Sequence, residues 1–164
     1  MSNGHVANKN DWCISLLMDV PQHKSTVINW YFDAWGKRDP SNTLESYTQK
    51  LETFLQDGSI PAHLVICDGE RPIATAHIRK HEIPSYVDYE MWLGGVYVDS
   101  DYRGQGVAKK VVNGVIKEAK ARGIGSLYLQ TEDLSGGLYA ELGWKKLHQI
   151  NNKGSEVIVM VKEL

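Results

Sequence analysis

A short, basic and glycine-rich segment is the part of this sequence best suited to chemistry. Residues 103–106 read Arg-Gly-Gln-Gly and lie where a strand-like run at 96–98 gives way to a helical pattern that begins at Val107. The N-terminus of a helix carries unpaired N–H groups and a partial positive charge, and both stabilise an anion. Two glycines leave the backbone open to close approach, and Arg103 adds charge. The segment therefore indicates either a phosphate-binding loop or a plain strand-to-helix turn.

Established nucleotide-binding loops fit this segment poorly. The GxxxxGK[ST] pattern is absent, and the GxG is followed by Val107 and Ala108, without the third glycine of a dinucleotide fingerprint. A nucleotide-binding α/β protein remains one alternative, and it predicts stabilisation by ATP or NAD.

The hydrophobic periodicity around the segment predicts the elements that must position it. The pattern indicates helices at residues 23–35, from Ser41 or Asn42 to about 57, at 107–122 and at 138–142. It indicates strands at 63–67, 73–78, 89–98, 126–131, 144–150 and 156–161. Asn42 and Glu45 have the spacing of a capping box at the second helix. Gly94 and Gly95 interrupt the third strand, which indicates a bulge or a close backbone approach. This order predicts an α+β or α/β domain built on one mixed sheet.

Composition and charge narrow the class of protein. The chain has 164 residues, which fits one domain over residues 11–164 after a flexible tail at 1–10. A net charge of −2 gives no electrostatic case for binding nucleic acid or an anionic membrane. No apolar run is long enough to span a membrane, and the N-terminus lacks the apolar region of a signal peptide. The two cysteines and six histidines show no metal-ligand spacing. We therefore expect a cytoplasmic protein without a metal.

Three ordered segments resemble the GNAT superfamily of N-acetyltransferases. Arg103-x-x-Gly106-x-Ala108 resembles its [Q/R]-x-x-G-x-[G/A] acetyl-CoA signature, and residues 96–98 and 127–131 look like its fourth and fifth strands. Residues 138–144, LYAELGW, are similar to its Y-x-x-L-G-[F/W] segment. The resemblance implies a single α+β domain with one mostly antiparallel mixed sheet, a splayed central strand pair, and helices on both faces.

The resemblance also implies which residues bind acetyl-CoA and which act on it. The cofactor-binding residues it implies are Val96, Tyr97, Val98, Arg103, Gly104, Gln105, Gly106, Val107 and Ala108. Tyr139 matches the general acid that protonates the departing sulfur, and a backbone amide near residues 96–98 matches the oxyanion donor.

The general base and the acceptor site are less sharply marked. Glu90 at the start of the fourth strand is the predicted base, and Asp88 and Glu132 are predicted to help attract a cationic amine. Trp30 and Tyr31 belong to a helix on the substrate side in this family, and adjacent helical residues cannot both face the core. We therefore predict that an aromatic of this pair holds the acceptor, which is a primary amine of a small molecule, peptide or protein.

Two classes of function remain open at this point. The first is an acetyl-CoA-dependent N-acetyltransferase, with a homodimer as a possible assembly. The second is a binding module that keeps the fold and senses acyl-CoA without turnover. The presence of Arg103, Gly106, Ala108 and Tyr139 favours the enzyme.

Overall fold

A mixed sheet with helices on both faces makes up the part of the chain that the computed structural model describes, residues 12–54 and 60–164. Its strands are β1 (Trp12–Leu16), β2 (Ala62–Asp68), β3 (Arg71–Lys80), β4 (Met91–Val98), β5 (Ser126–Thr131), β6 (Lys145–Asn152) and β7 (Ser155–Glu163). Its α-helices are α1 (Lys24–Ala34), α2 (Leu44–Phe54), α3 (Val107–Ala121) and α4 (Gly137–Glu141). The predicted tail at 1–10 and the predicted end of the second helix lie outside the described residues.

The strand order places a parallel pair at the centre of the sheet. The order is β1-β2-β3-β4-β5-β7-β6, and every neighbouring pair is antiparallel except β4 and β5. The β4–β5 ladder consists of one residue pair, Trp92 with Tyr128. Beyond that pair the two strands diverge and leave a gap between the C-terminal parts of β4 and β5, here called the split. The predicted fold class and its splayed central pair are therefore confirmed.

Successive side chains of each strand point to opposite faces of the sheet, and each face has its own hydrophobic core. Leu64 and Ile66 of β2 pack against α3, whereas Val65, between them, packs against α1 and α2. The apolar stripe of α3, which includes Val111 and Val115, is fully buried. Each such side chain contributes about 1.5–3 kcal/mol relative to exposure. The α3 layer and the α1–α2 layer therefore pack on opposite faces of the sheet and hold β4 and β5 in place on either side of the split.

Strand β1 was not predicted from the sequence. Its residues, WCISL, have only Trp12 fully buried, because the strand lies at the edge of the sheet and pairs with β2 alone. An edge strand of five residues gives too little alternation to stand out. Because β1 comes first in the chain, the strand at Met91–Val98 is the fourth, as the resemblance implied.

The predicted cap of the second helix was wrong by one residue. Thr43, not Asn42, caps α2: the Ser46 N–H donates to Thr43 Oγ1 (3.0 Å), and the Thr43 N–H donates to Ser46 Oγ (2.9 Å). The Asn42 side chain instead donates to the carbonyl of Gly36 (3.0 Å). Thr43 and Ser46 have the same spacing as Asn42 and Glu45, and in the fold it is this pair whose side chains bond the backbone at the start of α2.

We expect Thr43→Ala to lower the free energy of unfolding by about 1 kcal/mol, because the substitution removes the side-chain acceptor at the start of α2. Thr43→Ser keeps that acceptor and should remain close to the native value. Urea titrations of the two variants check this, and an Ala variant as stable as the Ser variant would contradict the assignment.

Within residues 12–54 and 60–164, no helix is long and apolar enough to cross a membrane. The same residues contain no group of three or more His, Cys, Asp or Glu side chains arranged to hold a metal ion.

Candidate active site

A β-bulge at Gly95 shapes β4 next to the split. The register between β3 and β4 shifts between Thr75 and His77 of β3, where β4 contains one extra residue. Gly95 has a φ of 60°, which L side chains rarely adopt. A Cβ atom there would lie 2.5 Å from both Tyr31 Oη and His77 Nδ1. The predicted bulge is confirmed, and the groups that approach the glycine pair closely are side chains, those of Tyr31 and His77.

Beyond the bulge, the backbone N–H and C=O groups along one edge of β4 point into the split. The Asp99 N–H donates to the Ile73 carbonyl of β3 (2.8 Å), which fixes the direction of the backbone at that residue. Since N–H and C=O groups alternate between the two edges of a strand, those of Val96 and Val98 point away from β3. The Val98 carbonyl accepts a hydrogen bond from Arg103 Nε (3.0 Å). A strand-like ligand can pair with the remaining groups of this edge, the N–H and C=O of Val96 and the N–H of Val98.

The start of α3 is exposed backbone at the mouth of the split. Gly104 and Gly106 have φ values of 77° and 81°, and a Cβ at either position would meet no other atom within 4 Å. Gly106 is the N-cap of α3 and, unlike Thr43 in α2, provides no side-chain hydrogen bond to the first turn. The N–H groups of this turn are thus available to an anion, next to the Arg103 guanidinium. The residues at 103–108 fit a pyrophosphate.

Ion pairs connect the turn at residues 99–102, just before this loop, to β3. Arg71 Nη2 lies 3.3 Å from Asp99 Oδ2 and 2.9 Å from Asp101 Oδ2. The Asp99 side chain also accepts from the Asp101 N–H (2.9 Å). These bonds fix the position of the chain between β4 and α3. The position of Gly104 and Gly106, which follow, is therefore also fixed at its N-terminal side.

Trp30 connects α1 to the same region. Its ring stacks on Tyr97 of β4, with centroids 5.2 Å apart and planes at 26°. The guanidinium of Arg103 lies over the same Tyr97 ring, 5.5 Å from its centroid. The half-buried Trp30 therefore packs on the cofactor-side strand. Tyr31 turns inward, is 7% exposed, and contacts His77 Nδ1 through its hydroxyl at 3.2 Å.

Glu82, which the sequence analysis did not select, reaches the split from the β3–β4 loop. A Cβ at Gly94 would lie 2.7 Å from its Oε1, and its Oε2 accepts a hydrogen bond from Gln130 Nε2 of β5 (3.1 Å). The Asn152 amide in turn donates to Gln130 Oε1 (2.8 Å). The Glu82–Gln130 bond thus joins the β3–β4 loop to β5 across the gap beside β4, and Asn152 extends this polar chain from β5 to β6. Burial raises the pKa of Glu82, and the Gln130 hydrogen bond and nearby cations oppose that rise.

Tyr139 lies close enough to Glu82 for the two groups to interact electrostatically. Burial raises the pKa of its phenol, and the Glu82 carboxylate raises it further. The ring packs edge-to-face against Trp144, with centroids 6.1 Å apart. A phenol in this setting stays protonated at neutral pH and retains a proton to donate. The site thus contains a carboxylate with a raised pKa and a neutral phenol, the combination needed to remove one proton and supply another.

The other predicted carboxylates lie at the surface. The side chains of Glu90, Asp88 and Glu132 are exposed, and Glu90 belongs to the loop that precedes β4. The Glu90 carbonyl accepts from the His81 N–H (2.8 Å), which closes the base of that loop. The loop carries Glu82 inward and leaves Glu90 outside.

The sequence held only a weak signal for this polar centre. No spacing rule marks Glu82. His77 lies between the apolar Ala76 and Ile78 of β3, and Gln130 follows the buried Leu129 of β5. Polar residues beside buried apolar ones indicate that a strand borders a polar site.

Comparison with known proteins adds family and fold to this geometry. Residues 25–144 match the family model described as Acetyltransferase (GNAT) family. The chain is 31% identical over 122 residues to human N-acetyltransferase 8B, an alignment that covers 73% of this chain. The chain spans about half the length of that protein, since the alignment covers 50% of it.

Solved structures with the same fold include enzymes named for different acceptors. Ribosomal-protein-alanine N-acetyltransferase from Brucella melitensis superposes with a TM-score of 0.74 at 21% identity, covering 93% of this chain and 99% of its own. Aminoglycoside 6'-acetyltransferase type Ii gives 0.71 at 21% identity, with 92% and 96% covered. The yncA protein of Salmonella typhimurium, solved with its cofactor acetyl-CoA, gives 0.74 at 18% identity, with 94% and 95% covered.

Proposed function

The chain belongs to the Acetyltransferase (GNAT) family, and from that membership we propose that it transfers the acetyl group of acetyl-CoA directly to a primary amine. One observation carries this proposal. The split between β4 and β5 joins the uncapped, glycine-rich start of α3 to a pair of proton-transfer groups, Glu82 and Tyr139. The acceptors for which two similar structures are named, an aminoglycoside and a ribosomal protein, are consistent with an amine.

The cofactor is assigned to residues that fit its chemistry. The backbone of Val96 and Val98 would pair with the pantetheine arm, as an added strand pairs with a sheet edge. The N–H groups at residues 103–108 would hold the pyrophosphate, with Arg103 as the neighbouring cation. When bound, acetyl-CoA supplies an activated thioester whose acetyl group is transferred.

Two side chains at the split then carry out the proton transfers. Glu82 accepts a proton from the attacking amine, directly or through water, as the new C–N bond forms. A backbone N–H of β4 near the bulge stabilises the charge on the acetyl oxygen. Tyr139 donates its proton to the sulfur as the C–S bond breaks. Glu82 then releases its accepted proton to solvent and Tyr139 regains one from solvent, so both groups return to their starting states. The products are an amide and free CoA thiol, so atoms and charge balance.

We expect Gly106→Val to weaken CoA binding by at least about 10-fold, because a branched side chain would cover the backbone N–H groups that contact phosphate. The φ of 81° also makes the substitution strained, so stability alone does not test the site. Gly123→Val is the matched control, since Gly123 has a φ of 77°, equally open surroundings, and lies just past the other end of α3. Calorimetry should show a loss of affinity for the first variant only. Equal CoA affinity in both folded variants would contradict the assignment.

An acetyl-transfer screen across amine classes tests the function as a whole. The purified protein is given acetyl-CoA and amino acids, polyamines, aminoglycosides or peptides, and release of CoA thiol is followed. Release that depends on one amine class supports the proposal. Thermal stabilisation by CoA without thiol release on any amine would instead support a sensor of acyl-CoA.

A further inference from the structure

A pocket of about 210 Å³ opens beside the split, on the face of the sheet covered by α1 and α2. It is lined by Ile60, Pro61, His63, His77, Arg79 and Lys80. His63 pairs with His77 across β2 and β3, and His77 pairs in turn with Gly94 of β4. His77 is thus a wall of the pocket and also a neighbour of the bulge. The pocket therefore borders the place where the proposed reaction occurs.

Two buried imidazole nitrogens near this pocket lack a protein partner. His63 is 4% exposed, and neither its Nδ1 nor His77 Nε2 has a hydrogen-bond partner in the part of the chain that is described. Buried polar atoms are nearly always satisfied in folded proteins, so such a pair needs an explanation. The two rings lie 4.9 Å apart, and burial lowers the pKa of both, so both are neutral at pH 7. Neutral imidazoles can donate to or accept from a polar ligand.

The rim of the pocket carries positive charge from two exposed side chains. None of the ion pairs among the described residues includes Arg79 or Lys80. By contrast Arg71, at the other end of β3, is held by two aspartates. An exposed guanidinium beside a pocket with unsatisfied imidazoles is suited to a carboxylate, which it binds through two parallel hydrogen bonds.

The pocket is separate from the proposed phosphate site. His77 is opposite Gly94, whereas the phosphate loop begins after Val98, which pairs with Ala74 three residues further along β3, about 10 Å away. Arg79 lies two residues along β3 from His77, about 7 Å away. The Glu82 carboxylate lies at Gly94 itself and is suited to an amine. A cation and a carboxylate separated in this way match a molecule that carries both an amine and a carboxylate.

We propose that this pocket binds a carboxylate of the acceptor, so that the substrate is an amine with a carboxylate a few bonds from its nitrogen, as in an α-amino acid. This inference rests on the proposed acetyl transfer and specifies its acceptor. Arg79 binds the carboxylate, His63 and His77 donate to or accept from the polar groups beside it, and the amine is directed to Gly94 and Glu82.

Matched acceptors and one charge-removing variant test the inference. We compare α-amino acids with their primary amides and with the corresponding aminophosphonates, using the native protein and Arg79→Gln. The native protein should prefer the amino acid over its amide. Arg79→Gln should raise KM for the amino acid by about 10-fold or more, the usual loss when a bond to a charged group is removed. KM for the amide should stay the same, and Arg79→Lys should restore part of the preference.

Arg122→Gln is the control for loss of a positive charge, since Arg122 pairs with Glu118 at the end of α3, on the opposite face of the sheet. A second readout, independent of turnover, is calorimetric binding of the amino acid to the CoA-saturated protein, which Arg79→Gln should weaken and Arg122→Gln should not. Equal loss on the amino acid and the amide would overturn the proposal, as would preference for the aminophosphonate or for a polyamine. Acetyl-CoA binding is measured first, because its absence would overturn the proposed function rather than the pocket alone.

Discussion

Tyr139→Phe should lower kcat by about 100-fold or more, the scale expected when a positioned general acid is lost. The variant keeps the ring and its edge-to-face contact with Trp144, so the fold and the affinity for acetyl-CoA should change little. The measurement is thiol release at saturating substrates, with a pre-steady-state experiment to show that chemistry limits turnover. The hydroxyl is protonated at neutral pH even at the ordinary pKa of a tyrosine, and burial raises the pKa of Tyr139 further.

The control for Tyr139→Phe is Tyr86→Phe, which removes a hydroxyl from a half-buried ring that stacks on Tyr89 (5.0 Å). Tyr86→Phe should retain native kcat. Because burial raises the pKa of Tyr139 from its ordinary value of 10.0, any alkaline limb that it contributes should begin above that pH and disappear in Tyr139→Phe. Native kcat in Tyr139→Phe under chemistry-limited conditions would leave Tyr139 as a packing residue.

The elements around the split were predictable because each has a strong local pattern. The stripe of α3 repeats at helical spacing, and β5 is bounded by turn residues, so the predicted bounds and the observed Val107–Ala121 and Ser126–Thr131 agree closely. The turn at Gly104 and Gly106 was also predictable, since two glycines just before a helix favour the positive φ angles that such a turn requires. The strand that closes the edge of the sheet was not, because β1 has little buried surface of its own.

The proton-transfer groups were only half predictable, for a physical reason. Tyr139 lies in a local motif, so seven consecutive residues suffice to mark it. Glu82 acquires its position through a hydrogen bond to Gln130, 48 residues away, and through the space left by a glycine in another strand. Glu82 and Glu90 are glutamates of the same loop, and composition does not distinguish them. Only the fold turns the first inward and leaves the second exposed.

Glu82→Gln should lower the rate of acetyl transfer by about 100-fold or more, because the amide can no longer accept the proton of the attacking amine. The side-chain oxygen of Gln can still accept the hydrogen bond from Gln130 Nε2, so the polar chain across the split should persist. Glu70→Gln, in the exposed turn between β2 and β3, is the matched control and should keep the native rate. If Glu90 is the base instead, Glu90→Gln will show the loss and Glu82→Gln will not.

The same variant should separate catalysis from stability. Burial raises the pKa of Glu82 in the folded state, so the folded protein binds this proton more tightly than the unfolded chain does. The charged carboxylate therefore costs stability above its folded pKa, and the cost disappears below the unfolded value of about 4.3. Glu82→Gln should then be at least as stable as the native protein at pH 7, with the difference shrinking toward pH 4. Urea titrations at the two pH values measure this. An inactive variant that is also less stable at pH 7 would indicate a structural role for Glu82, whereas an inactive and stable one identifies a group that the fold retains for its chemistry.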